Sequence, residues 1–86
     1  MPLVVTVNFP AALQPLAGAT LVVRDEVATV GQLLQVLDRL VPGLAKELGD
    51  PLYNIAVNDE LLLHGVNKRP VADGDIIEIV PTMAGG

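Results

Sequence analysis

The stretch TVGQLLQVLDRLV, Thr29 to Val41, decides how the rest of the chain has to be arranged. Apolar side chains fall at Val30, Leu33, Leu34, Leu37, Leu40 and Val41, the i, i+3, i+4, i+7 recurrence of one helical face. Gln32, Gln35, Asp38 and Arg39 fill the opposite, wet face. Thr29 with Gln32 three positions on has the form of a capping box, in which each side chain reaches a backbone N–H of the first turn. Pro42-Gly43 closes the helix, because proline disfavours helical geometry in the residue before it. Leu44 to Leu48 has room for one further short turn before Gly49. One amphipathic helix with one apolar stripe needs a single apolar surface to lie on.

The flanking sequence supplies that surface as strands. Upstream, Val4 to Phe9 and Thr20 to Arg24 are β-branched runs separated by Pro10, Pro15 and Gly18, which reads as a hairpin with a long connection. Downstream, Tyr53 to Asn58 is a third strand, with Ile55 and Val57 on one face and Tyr53 partnering neither. Asn58-Asp59 is a tight turn into Leu61–Leu63. Val66 to Val71 is irregular, and Asp73-Gly74-Asp75 is a turn before the last strand, Ile76 to Val80, whose Glu78 faces out. The order β-β-α-β-β-β gives an α+β domain, a mixed sheet with one main helix across it. With the last strand placed parallel to the first, this is the β-grasp arrangement. The domain spans residues 1–81, and residues 82–86 form an extended tail.

Composition removes most kinds of chemistry. The chain has 86 residues, a formal charge of −5, one histidine and no cysteine. Half of it is hydrophobic but only Phe9 and Tyr53 are aromatic, so the core is aliphatic. Without cysteine there is no disulfide, thiolate metal site, iron–sulfur cluster or thiol nucleophile. One histidine excludes a multi-histidine metal centre, so no metal site is expected. Ten acidic against five basic residues argue against nucleic acid and anionic membrane as partners. Met1 to Val7 lacks the basic region of a signal peptide, and no apolar run approaches membrane-spanning length, so a cytoplasmic protein is expected.

Individual polar residues read as structure. His64 next to Gly65 has no Ser/Asp partners at a persuasive spacing and reads as a strand-end residue. Asp73 and Asp75 lack the ligand spacing and closing Glu of a calcium loop and read as turn-forming carboxylates. Asp59-Glu60 and Lys68-Arg69 read as solvated loops. No nucleophile or acid–base pair stands out, so an enzyme is not expected.

The end of the chain is different. Gly85-Gly86 follows a proline that terminates the last strand. A flexible tail or a processing remnant is the plain alternative. The chemical reading is that a Gly-Gly tail, having no Cβ atoms, threads a narrow channel in a partner and leaves its α-carboxylate sterically open for activation as an acyl-adenylate.

Phe9-Pro10, the helix from Thr29, the "VND" of Val57 to Asp59, the "DGD" of Asp73 to Asp75 and the "P-x-x-A-G-G" ending from Pro81 come in an order that resembles the ThiS/MoaD family of ubiquitin-like sulfur carriers over almost the whole chain. "VTVNFPAALQPLAG", "NIAVNDE" and "VPTMAGG" are most similar to the CysO-type carriers of cysteine biosynthesis, with molybdopterin carriers next. The aliphatic last strand departs from the aromatics that molybdopterin carriers often have there.

The resemblance implies that no cofactor is bound and that an adenylyltransferase resembling ubiquitin-activating enzymes uses ATP to adenylate Gly86. A sulfur donor then forms a thiocarboxylate, and a sulfur-accepting synthase consumes it. Thr82, Met83, Ala84 and Gly85 would lie in the partner's tunnel. Phe9, Leu61 and Val80 match the family's partner-docking surface, against ordinary core packing as the other reading. A ubiquitin-like modifier conjugated through Gly86 and a non-catalytic binding module are the alternatives.

Overall fold

A computed structural model describes residues 3–48 and 53–82. These form five strands and three short α-helices with two 3-10 turns: β1 (Val5–Asn8), α1 (Gln14–Ala17), β2 (Thr20–Val23), α2 (Val30–Leu40), α3 (Leu44–Leu48), β3 (Tyr53–Val57), β4 (Glu60–Leu62) and β5 (Ile76–Pro81), with 3-10 turns at Ala11–Leu13 and Val66–Lys68. The strands make one sheet in the order β2-β1-β5-β3-β4. The central pair, β1 and β5, is parallel, with Val7 opposite Ile77, and the other pairs are antiparallel. This is the expected β-grasp topology.

The helix and the sheet share one core. Val30, Leu33, Val36 and Leu37 of α2 are buried, in one cluster with Val5, Val7, Val57, Ile77 and Ile79. Leu40, placed on the apolar stripe by its spacing, is 52% exposed, and Val36 is buried instead. Leu40 is the last helical residue and overhangs the packed surface, while Val36 stands one turn after Leu33. Gly31 explains why a glycine is tolerated in this helix. A Cβ there would come within 3.0 Å of the Asn67 carbonyl oxygen, so its absence lets α2 lie against the Val66–Lys68 turn.

The helix start differs slightly from a standard capping box. The Gln32 N–H donates to Thr29 Oγ1 at 3.3 Å, while Gln32 Oε1 accepts from the Ala28 N–H at 2.7 Å, one residue before the cap. The Val30 N–H donates to the Arg69 carbonyl and that of Val71 to the Ala28 carbonyl, so the cap is tied to the loop before β5.

Two further elements depart from the sequence reading. The connection between β1 and β2 is helical, and it buries Leu13 at 3% exposure. Pro15 is tolerated in the first turn of α1, where its missing N–H has no helical partner to lose. Tyr53 shares the face of Ile55 and Val57, as the period of two along a strand requires, and packs half-buried against the core.

The predicted turns hold the sheet together. Val57 pairs with Glu60 across the two residues Asn58 (φ 50°) and Asp59 (φ 71°), the positive-φ pair of a tight hairpin. Asn58 Oδ1 accepts from the Ile76 N–H at 2.9 Å and its Nδ2 donates to Asp75 Oδ1 at 2.9 Å. Asp75 Oδ2 accepts from the Ala72 N–H, and Asp73 Oδ1 from the Val4 N–H. The aspartates are therefore engaged by backbone N–H groups, the turn role expected of them.

Asn58→Ala removes two side-chain hydrogen bonds and forces alanine into left-handed backbone. A loss of about 1–2 kcal/mol in urea unfolding is expected, and Asn58→Gly should recover the backbone part. An unchanged unfolding midpoint for Asn58→Ala would contradict this account.

Candidate partner-docking face and tail

The face of the sheet opposite α2 is the candidate site. Strand register carries one row of side chains across all five strands: Leu61, Ala56, Glu78, Asn8 and Thr20. Val80 lies two residues along β5 from Glu78 on the same face, opposite Asn54. Ala56 is buried between larger neighbours, but Glu78 and Val80 are only half-buried and Leu61 is 45% exposed. Leu63, just after β4, is 69% exposed. Apolar side chains thus collect on this face around β3, β4 and the C-terminal half of β5. Exposed apolar surface of this sort is what a protein-binding surface presents.

The structure separates the three expected docking residues. Leu61 and Val80 belong to the open face. Phe9 does not: it is 5% exposed and sits in the core cluster. It follows β1, where its N–H donates to the Ala19 carbonyl and its own carbonyl accepts from Gln14 Nε2. The helical connection, with buried Leu13, is part of the same core. Phe9 is therefore corrected to a core residue. Period-two alternation on β5 places Ile76, Glu78 and Val80 together, and Leu63 extends the alternation of β4. Those are the signals by which sequence could have placed Leu63 and Glu78 on this face.

The tail leaves from the middle of this sheet. β5 has neighbours on both sides, and its last residue, Pro81, pairs with Tyr53. Thr82 follows, half-buried. The tail residues Met83, Ala84, Gly85 and Gly86 lie outside the described residues.

Elsewhere the described residues offer little to reaction chemistry. A cavity of about 330 Å³ opens between α2, α3, β3 and β4, and Leu34, Leu48, Tyr53 and Leu62 are among its lining residues. His64 is exposed beside Gly65, and Arg69 pairs with Glu60 at 3.1 Å. Among the described residues no cluster of His, Cys, Asp or Glu could hold a metal ion, and no helix is long and apolar enough to cross a membrane.

A ubiquitin-like β-grasp domain with partly exposed apolar side chains on the open face of its sheet is the class that this geometry defines. The ThiS family model matches residues 7–86, and the chain belongs to the ThiS family. It is 34% identical to the sulfur carrier protein CysO of Mycobacterium tuberculosis, over 95% of this chain and 98% of that protein. CysO in the BexX/CysO complex of Amycolatopsis orientalis is similar in structure, with a TM-score of 0.78 and 31% identity over 95% of this chain and 99% of that one. The small archaeal modifier protein 1 of Methanosarcina acetivorans superposes with a TM-score of 0.75 at 27% identity, covering 100% of this chain and 99% of that one.

Proposed function

We propose that this chain is a sulfur carrier whose Gly86 carboxylate is the attachment point. The observation that carries the reading is the ThiS family match over residues 7–86, which takes in the Gly-Gly ending, together with 34% identity to CysO over 95% of the chain. The domain is a handle and a protein substrate, and catalysis resides in its partners. An adenylyltransferase joins the Gly86 carboxylate to the AMP portion of ATP and releases pyrophosphate. Sulfide, or a sulfur donor delivering it, attacks the acyl carbon, AMP leaves, and a thiocarboxylate remains. Its sulfur is then passed to an acceptor bound by a synthase, with cysteine biosynthesis favoured over molybdopterin. ATP is held by the partner, and no cofactor resides on the carrier. A cytoplasmic location, with its supply of ATP, suits this chemistry.

Residues 1–81 act as the folded unit and 82–86 as the tail. Beyond Thr82 the four remaining residues can reach about 13 Å when extended, enough to bring the terminus into a partner's channel while the domain stays outside. Leu61 and Val80 dock the activating partner. The test is intact mass after incubation with the adenylyltransferase encoded in the same genome, ATP and sulfide. The expected gain is that of one carboxylate oxygen replaced by sulfur. No gain with an enzyme that demonstrably makes AMP-activated carrier would end the proposal.

The similarity to an archaeal modifier protein favours one second reading, conjugation of Gly86 to lysines of target proteins. The chemistry is shared up to the adenylate, after which an amine replaces sulfide. Covalent ladders on denaturing gels that vanish on deletion of Gly86 would establish it.

A further inference from the structure

Glu78 is the one charged residue in the cross-strand row of the docking face, and it stands at the middle of that row. Ala56 and Asn8 flank it on the neighbouring strands, and Ile76 and Val80 lie two residues away along β5. Asn8 is itself engaged, its Oδ1 accepting from Thr20 Oγ1 at 2.9 Å. Among the described residues no side-chain hydrogen bond or ion pair reaches Glu78, and the paired cations are used elsewhere, Arg39 with Asp25 and Arg69 with Glu60. In the free protein water solvates this carboxylate. A partner seated on Leu61 and Val80 strips that water, and a buried carboxylate without a counter-charge is strongly disfavoured.

We propose that Glu78 selects the activating partner: the adenylyltransferase covers the open face with an apolar surface that sets one arginine or lysine against Glu78. This rests on the docking role given to that face above. A partner surface that is neutral or acidic at this point is rejected, because it would leave the charge unpaired or repelled. The formal charge of −5 adds attraction at a distance to the same basic surface. Glu78 is a positioning and specificity residue. It stands eight positions before Gly86 in the sequence and takes no part in the chemistry.

The experiment measures binding of the full chain to the purified adenylyltransferase of the same genome by calorimetry, at low and high salt. Glu78→Gln is nearly isosteric and is expected to weaken Kd about tenfold. Glu78→Arg should weaken it at least about a hundredfold, since like charges then face each other. The wild-type Kd should rise more steeply with salt than that of Glu78→Gln. Melting curves for Glu78→Gln should match wild type.

Wild-type Kd for both Glu78 variants overturns the proposal. If Leu61→Ala still weakens binding in that case, the docking face stands and only the charge selection falls. If Leu61→Ala is also without effect, the docking face falls with it. A Glu78→Gln chain that self-associates while binding its partner normally assigns the carboxylate to keeping the face soluble, and also overturns the proposal.

Discussion

A chain ending at Gly85 is expected to gain no measurable sulfur, with loading by the adenylyltransferase falling by more than about a hundredfold. Deleting Gly86 draws the terminal carboxylate back by about 3.5 Å. An enzyme that joins two reactants depends on near-attack geometry, and a misplacement of about 1 Å already costs on the order of a hundredfold. The paired strands, β5 through Pro81 included, keep every residue in the truncated chain. Its melting temperature and its affinity for the partner's docking surface should therefore stay close to wild type. Intact mass checks the loading and calorimetry the binding. Wild-type loading of the truncated chain would place the reacting carboxyl group elsewhere.

Leu33→Ala is expected to be among the most damaging single substitutions in the fold. Leu33 is 0% exposed, at the centre of the buried stripe of α2. Removing a fully buried leucine side chain costs about 2–5 kcal/mol, through lost transfer energy and the cavity left behind. A domain of this size has a total stability of only about 4–13 kcal/mol. The melting temperature should fall by some 10–30 °C. Leu40→Ala is the control on the same helix: at 52% exposure it should change stability by no more than about 0.5 kcal/mol. A Leu33→Ala melting temperature within a few degrees of wild type would show that the helix is not what holds the sheet together. Sulfur loading of this variant should fail only at temperatures where it unfolds, since Leu33 is a buried core residue and not part of the tail.

The elements were legible because their signals are local. The stripe of Val30, Leu33 and Leu37, the threonine cap, the Asn58-Asp59 hairpin and the Asp73–Asp75 turn each follow from side chains within a few residues of one another. The first and last strands were legible as β-branched runs within a residue of their bounds, whereas their parallel pairing is an arrangement that the order of elements allows and only the structure establishes. The Gly-Gly ending and the family pattern pointed to the chemistry of the tail, whose last four residues lie outside the described structure.

Exposure was not legible, because it depends on what crosses over a residue. Phe9 and Leu61 look alike as apolar residues near strand ends. One is sealed into the core beside the helical connection and Leu13, and the other stands at 45% exposure on an outer strand. Leu40 and Val36 exchange places for a related reason: periodicity fixes the face of a helix but not where its partner surface stops. Glu78 could be read as facing out, but not as the lone charge in a row across five strands. The sequence by itself determined the strands, the main helix, their order and the chemical promise of the tail. Only the tertiary structure decided which apolar side chains are core and which stay exposed on the open face, because strands far apart in the chain, β1, β3 and β5, must come together before either surface exists.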